Sequence, residues 1–256
     1  KVTFDINKKD NKLKTHSPAL KEFIENYVSV SICEYVVETR QEVSDIFLAV
    51  NDGMPLKPQE KRNAYLCKMA DEVREMSAKY IDDNKLFKNN VHYKYDEMIA
   101  KLAVLFTRGV TDGVTNKMMD DAYSDDSAVY QSYVTRKEKV NGKKLIDETL
   151  KLVKKYADEA SFGTSTLINL FIAMMELNSK NRKISDDEKF FDWFIASENK
   201  RIGNTKVLVT TSRGPQTYAN LNGGTQSVDL IYRSQEIIKD LQKCPYASAA
   251  VELDPE

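Results

Sequence analysis

Residues 46–66 combine a turn with a cluster of polar side chains, and they read IFLAVNDGMPLKPQEKRNAYL. A helix that ends in Asn-Asp-Gly is followed by a Pro-rich turn and by a second helix that begins Gln-Glu-Lys-Arg-Asn-Ala. Arg62 and Asn63 lie one turn into that second helix, where a polar pair can hydrogen-bond a neighbouring loop or bind a phosphate equally well. The candidate nucleotide-binding or phosphate-binding residues are Asn51, Gly53, Glu60, Arg62 and Asn63. A structural role is the alternative, because Asn51 and Gly53 suit a turn and Glu60 suits a helix N-terminus.

Other patterns of nuclease chemistry are weaker in this sequence. An HNH centre needs clustered His and Asn around a metal, but the only histidines, His16 and His92, are far apart in the chain. The acidic-x-Lys spacing that begins at Asp83 and at Glu198 falls in a predicted loop or helix rather than on a strand. We interpret this spacing as coincidence, and we predict no metal site formed by protein residues alone.

An acidic, a glycine-rich and a basic segment could each bind a ligand, but a structural role explains each of them more simply. Asp125 and Asp126 follow Ser124 and indicate a helix start more readily than a Mg²⁺ site. Residues 222–225 precede the last helix, and they lack the Gly-x-x-x-x-Gly-Lys pattern of a P-loop. The lysine-rich stretch over residues 137–155 contains interspersed acidic residues, so we interpret it as a solvated helix face rather than a nucleic-acid surface.

The composition excludes some classes of protein and of partner. Across 256 residues, 38 Lys and Arg face 39 Asp and Glu, so a net charge of -1 gives no global attraction to nucleic acid or to an acidic membrane. The longest apolar run, residues 167–175, is shorter than the roughly 18 to 20 residues that a membrane span requires. Three widely spaced cysteines without metal-binding spacing fit a reducing compartment. We therefore expect a cytoplasmic protein without a membrane span, in which any DNA contact comes from a local patch.

The elements that must position these residues are mostly helices. Nine Gly and six Pro are few for this length, which favours a mainly α protein with a small β component, an α+β fold. Apolar periodicity predicts strands over 27–38 and 206–211 and helices over 40–50, 58–80, 94–107, 114–138 (in one or two pieces), 142–160, 164–180, 186–202 and 227–243. The broad apolar face of the helix over 164–180 predicts a central place in the core. Ser185 and Glu188 have the spacing of a capping box before the helix over 186–202.

The turn described above also carries a resemblance to a known family. Its pattern I-F-x-x-V-N-D-G-x-P-L-x-x-Q-E-x-R-N-A is similar to the signature of the N-terminal domain of GmrSD-type restriction endonucleases, in the ParB/sulfiredoxin-like superfamily. The resemblance covers residues 20–108, with Tyr95-Asp96-Glu97 in the same order as in the family. It implies a remnant ParB-like α/β core over residues 1–110 and a helical domain over residues 111–256.

The resemblance also implies a function. GmrSD-type systems recognise or cut modified phage DNA with the help of a nucleoside triphosphate, so the resemblance implies phage defence, DNA or nucleotide binding, and an NTP with Mg²⁺ as cofactor. A partner nuclease or self-association would supply what this chain lacks. The five candidate residues named above would then shape the wall of the nucleotide pocket.

The catalytic motif of that family, Asp-Gly-x-Gln-Arg, does not occur in this sequence. In the family it lies upstream of the strand that corresponds to residues 27–38. We expect that it either precedes Lys1, which the non-Met start favours, or has been lost from a degenerate relative. Two hypotheses follow. The chain is a nucleotide- or DNA-handling module that is not catalytic alone, or it is a non-catalytic helical protein-interaction or structural protein of a phage or bacterium.

Overall fold

A computed structural model describes two compact units, Lys1–Thr39 and Arg40–Glu256, which are treated separately below. The described residues are 5–7, 12–14, 34–50, 56–80, 91–124, 127–135, 141–157, 162–206, 208–211, 214–222 and 224–249. In the first unit, strands β1 (Asp5–Asn7) and β2 (Lys12–Lys14) pair antiparallel. Residues 34–37 have no regular structure, so the strand predicted over 27–38 is wrong at that end, and residues 27–33 lie outside the described residues.

The second unit is built from helices connected by short turns. Its described helices are α1 (Arg40–Val50), α2 (Pro58–Ala64), α3 (Lys68–Tyr80), α4 (Lys94–Arg108), α5 (Asn116–Ala122), α6 (Ala128–Thr135), α7 (Gly142–Tyr156), α8 (Thr164–Ser179), α9 (Asp187–Gly203), α10 (Tyr218–Leu221) and α11 (Ser227–Leu241). A 3-10 turn, Val91–Tyr93, precedes α4. Two ladders of three-residue strands are antiparallel: β3 (Arg182–Ile184) pairs with β6 (Ala247–Ala249), and β4 (Val209–Thr211) pairs with β5 (Gly214–Gln216).

This arrangement confirms a mainly α fold with a small β component. The helices α4, α8, α9 and α11 lie within about two residues of their predicted bounds, which is the usual uncertainty of helix ends. None of the helices in the described part of the chain combines the length and the apolar character of a bilayer-crossing segment.

Two details of the predicted helices are wrong. The helix predicted over 58–80 is interrupted, because Tyr65 adopts an extended conformation at the end of α2 and its N–H donates to the carbonyl oxygen of Arg62. The cap of α9 is Asp186 rather than Ser185, because the Asp186 carboxylate accepts the backbone N–H of Lys189 at 3.1 Å.

The core of the second unit lies around α4 and α8. Leu102 of α4 and Leu167, Leu170 and Phe171 of α8 are completely buried, which confirms the central place predicted for the helix over 164–180. Buried residues from α3 to α9 and from α11 belong to the same hydrophobic cluster. Helices on both sides of residue 110 therefore share one core. The division into domains over residues 1–110 and 111–256 stays a prediction.

Candidate functional site

The candidate site begins at the N-terminus of α2, where Pro58 occupies the first helical position and fits the fixed φ of proline. Glu60 accepts the backbone N–H of Lys57 at 2.7 Å through Oε2. Its other oxygen, Oε1, lies 2.7 Å from Nδ1 of His92. The hydrogen bonds from His92 and from the Lys57 backbone hold the pKa of Glu60 below its ordinary value. Glu60 therefore remains a carboxylate at neutral pH and links α2 to the turn before α4.

Arg62 is buried behind this helix end, with 1% of its surface exposed. Its Nε donates to Oδ1 of Asp120 on α5 at 2.7 Å. Nη2 donates to both oxygens of Asn116 at 3.2 Å, and Nη1 has longer contacts with Gln59 Oε1 at 3.5 Å and Met119 Sδ at 4.0 Å. All five N–H groups of the guanidinium thus have an acceptor inside the protein. Arg62 positions α2 against α5 and presents no donor to a ligand.

Asn63 is the centre of a second set of contacts between α2 and its neighbours. Its Nδ2 donates to Asp96 Oδ2 on α4 at 2.5 Å, and its Oδ1 accepts from Gln59 Nε2 at 2.9 Å. The backbone oxygen of Asn63 accepts from Nη1 of Arg74 on α3 at 2.8 Å. Because these partners come from α2, α3 and α4, they fix the corner between α2 and α3 where the predicted helix is interrupted.

The Gln59 amide extends the same network to the end of α5. Its Nε2 donates to the hydroxyl of Tyr123 at 2.9 Å, and both side chains are buried. Burial raises the pKa of the Tyr123 hydroxyl, so it stays protonated over the whole physiological range. This hydroxyl acts as a structural hydrogen-bonding group rather than as a general base.

A cavity of about 340 Å³ lies between α1, α2 and the turn before α4. Its lining residues are Val43, Ser44, Phe47, Glu60, Asn63, Ala64, Leu66 and Tyr93. The lining is mostly apolar, with two aromatic rings, one carboxylate and one amide, and none of its described residues is cationic. Its volume lies near the lower end of the range of small-molecule sites, which is about 300–1,000 Å³. The cavity suits a small, flat and largely apolar group better than an unaccompanied phosphate.

Two residues beside the cavity have left-handed backbone conformations. His92 has a φ of 56° and Tyr93 a φ of 58°, in the turn that leads into α4. Non-glycine residues in this conformation cost roughly 1–3 kcal/mol each and concentrate at functional sites. In this protein the strained turn places the Tyr93 ring on the cavity wall and His92 beside Glu60.

The five candidate residues are thus only partly brought together. Glu60 and Asn63 line the cavity, Arg62 lies buried behind them, and Asn51 and Gly53 lie outside the described residues. The structure adds Phe47 and Tyr93 to the cavity wall. Tyr93 precedes Tyr95-Asp96-Glu97, the segment noted in the resemblance, and that proximity is the one sequence signal that could have indicated it.

One more acidic residue near the site, Asp120, has a structural partner. Asp120 forms the ion pair with Arg62, and Asp125 and Asp126 lie outside the described residues. Over the described part of the chain, no three His, Cys, Asp or Glu side chains are grouped as metal ligands. The donor groups described here therefore do not make a Mg²⁺ site by themselves.

A second buried polar cluster, separate from this cavity, joins α8, α9 and α11. Glu198 accepts Asn169 Nδ2 at 2.6 Å, the Tyr218 hydroxyl at 2.9 Å and Arg201 Nη2 at 2.7 Å. Arg233 donates to Asn169 Oδ1 at 2.9 Å and to backbone carbonyls of the loop before α11. Because the members bond one another, we assign this cluster a structural role. Glu198 thus lies on a helix in a closed network, whereas nuclease carboxylates with this spacing lie on a strand.

The chain was compared with known proteins. No family model, curated protein or solved structure matches it.

Proposed function

We propose that this chain is a cytoplasmic nucleotide- or DNA-handling module related to the NTP-dependent systems that restrict modified phage DNA, and that it is not catalytic by itself. The observation that carries the proposal is the placement of Glu60 and Asn63, two residues of the signature, on the wall of one small cavity. A purely structural corner would not require a cavity at this point.

The chemistry of the cavity favours the base of a nucleotide over its phosphates. The rings of Phe47 and Tyr93 offer apolar faces, and the Glu60 carboxylate can accept an N–H group from a base edge. The same carboxylate repels phosphate. The N–H groups of the Arg62 guanidinium already donate to acceptors inside the protein, so they are not available to a phosphate. In this proposal the phosphates of a bound nucleotide lie outside the cavity, and no step is assigned to a metal held by the protein.

A nucleotide titration, monitored through the fluorescence of the protein, tests the proposal. The parent chain is titrated with nucleosides, nucleoside triphosphates with and without Mg²⁺, and short oligonucleotides. It is compared with Tyr93→Asn, because asparagine tolerates the left-handed backbone at this position. Tyr65→Asn is the matched control, since Tyr65 is also exposed but does not line the cavity.

We expect Tyr93→Asn to weaken nucleotide binding at least about fivefold, because stacking of one base on an aromatic ring is worth roughly 1–3 kcal/mol. Tyr65→Asn should bind as the parent does. Failure of the parent to bind any of these compounds would count against the proposal, and so would equal effects of the two substitutions.

A second candidate function is a protein-interaction module. Val43, Phe47 and Val50 recur on one face of α1 at helical spacing, and they are 53%, 44% and 67% exposed. An amphipathic helix with an exposed apolar face is typical of a docking surface. Val50→Ser separates the two functions, because Val50 does not line the cavity. It should weaken self-association, measured by analytical ultracentrifugation, and leave nucleotide binding unchanged.

A further inference from the structure

A groove of about 930 Å³ runs between α7, α8, β3 and the first residue of α9, and it has no part in the function proposed above. Its floor is aliphatic, with side chains from both helices and from β3. The floor residues are Leu145, Leu152, Met174, Leu177 and Ile184. This groove, called here the α7–α8 groove, is nearly three times as large as the cavity beside α2.

The rim of the α7–α8 groove is predominantly cationic. Among the described residues that line it, five are basic and two are acidic. The basic residues are Lys151, Lys154, Lys155, Arg182 and Lys183, and the acidic residues are Glu148 and Asp187. The chain as a whole has a net charge of -1, so this excess of positive charge is a local feature.

The basic residues of the rim differ in how firmly they are held. Arg182 is structural, because it donates to the backbone oxygens of Leu241 and Ala247. Lys151 forms an ion pair at 2.8 Å with Asp147, whose side chain is only 16% exposed, and Lys155 lies over the ring of Tyr156 at 4.7 Å. No ion pair joins Lys183 to any other described residue. Exposed contacts contribute little, so Lys155 and Lys183 can turn to an incoming carboxylate at low cost, whereas Lys151 stays paired with Asp147.

We infer that the α7–α8 groove binds an acidic amphipathic peptide segment of a partner protein. Aliphatic side chains of the segment would contact the floor, and its carboxylates would pair with Lys155 and Lys183 on the rim. A helix with apolar residues at positions i, i+3, i+4 and i+7 meets both requirements. The complementarity between the basic rim and an acidic segment selects the partner and sets its orientation.

The floor of the groove argues against nucleic acid as its occupant. Single-stranded nucleic acid is bound by successive aromatic platforms along a basic channel. Tyr156 is the one aromatic residue among the described lining residues, and its ring packs against Phe191 with the centroids 6.0 Å apart. Five aliphatic side chains offer contact area for leucine-like residues but no platform for a base.

Fluorescence anisotropy with designed peptides tests this inference on the full chain. The probe is a fluorescein-labelled helical peptide of about 16 residues, long enough to be helical, with Leu on one face and Glu elsewhere. One control peptide has Lys in place of Glu, and the other has Ser in place of Leu. The protein variants are Lys155→Glu and Lys183→Glu. Lys117→Glu is the matched control, because Lys117 is an exposed lysine of α5 that does not line the groove.

We expect the Leu/Glu peptide to bind and the two control peptides not to bind. Each charge reversal on the rim should weaken binding about threefold to tenfold at low salt, and Lys117→Glu should have no effect. Added salt should weaken binding of the parent. The inference is overturned if both reversals leave the peptide affinity unchanged. It is equally overturned if a thymidine oligonucleotide or phosphatidylserine vesicles bind in a reversal-sensitive way and the peptide does not.

Discussion

The Nε atom of Arg62 lies 2.7 Å from Oδ1 of Asp120, and the two partners differ greatly in their contact with water. Arg62 is 1% exposed, whereas the Asp120 side chain is 55% exposed. If Asp120 is replaced, the charge of Arg62 is left buried and destabilises the protein. If Arg62 is replaced, the charge of Asp120 remains well solvated. This asymmetry makes the corner between α2 and α5 open to a direct test.

Asp120→Ala should destabilise the protein more than Arg62→Met. Removal of Asp120 leaves a buried guanidinium without its counter-charge, which typically costs about 3–5 kcal/mol. Arg62→Met removes the buried charge itself and keeps much of the side-chain volume, so we expect a cost of about 1–3 kcal/mol. Urea unfolding of the two variants measures the difference, and the opposite order would show that this ion pair does not hold the corner.

The same geometry changes the expected effect of Arg62→Ala. A phosphate-binding arginine on the surface would lose ligand affinity with little change in melting temperature. A fully buried Arg62 that joins α2 to α5 should instead lower the melting temperature by several degrees. Differential scanning calorimetry distinguishes the two outcomes, and an unchanged melting temperature would contradict the positioning role.

Asp147 of α7 should make the stability of the protein depend on pH in the acid range. Burial raises its pKa, but hydrogen bonds from Lys151, Lys79 and Tyr80 prevail and lower it to about 2, against an ordinary value of 3.8. Because the folded pKa is the lower one, the stabilisation is complete above the unfolded pKa and is lost as pH falls toward the folded pKa. The parent should therefore exceed Asp147→Asn in unfolding free energy at about pH 6, and the gap should shrink from about pH 4 to pH 2.

Urea unfolding at several pH values measures that gap. Asp192→Asn, at an exposed carboxylate of α9 for which the structure gives no ion pair within the described residues, serves as the control. A gap between the parent and Asp147→Asn that stays constant across this range would refute the assignment.

Glu198→Ala should be among the most damaging substitutions in the C-terminal half of the chain. It removes the acceptor of Asn169, Arg201 and Tyr218 inside a fully buried cluster, and we expect a loss of about 3–5 kcal/mol. Lys200→Ala is the matched control, because Lys200 is exposed on the same helix and should change stability by less than about 0.5 kcal/mol. Chemical denaturation measures the unfolding free energy of both variants. Similar losses would show that the cluster does not stabilise the protein.

Two glycine-to-alanine substitutions should change the stability of the protein in opposite directions. Gly113 has a φ of 74°, and a Cβ atom there would lie 2.7 Å from the backbone nitrogen of Ser227, so Gly113→Ala should destabilise the protein. Gly203, the last residue of α9, has open space around it, and Gly203→Ala should stabilise the protein by about 0.4–1 kcal/mol. Thermal unfolding of the pair measures both effects, and a neutral Gly113→Ala would rule out the close approach to α11.

The amino-acid pattern predicts the long helices well and the corner beside the site poorly. Apolar periodicity is strong in α4, and α8 is apolar around most of its surface; the bounds of both helices are close to those predicted. The interruption at Tyr65 has no glycine or proline to mark it. It depends on the hydrogen bonds of Asn63, whose Nδ2 donates to Asp96 and whose backbone oxygen accepts from Arg74. These two partners lie 33 and 11 positions from Asn63 in the chain.

The candidate site was predictable only in part for the same reason. Glu60 and Asn63 reach the cavity from the segment that carries the signature, whereas Tyr93 reaches it through a left-handed turn that no local pattern indicates. The lysine-rich stretch, interpreted as a solvated face, contributes Lys151 and Lys155 to the rim of the α7–α8 groove. Charge counting along one helix could not show that β3 and α8 form the rest of that groove.

Helix α2 has seven residues, which is about half the length at which an isolated peptide begins to hold a helical conformation in water. The helical conformation of α2 therefore depends on its contacts with the neighbouring helices. Grafting residues 56–67 onto an unrelated scaffold would transfer the amino acids without the conformation. A free peptide of the same sequence would be a poor mimic or immunogen for this corner of the protein.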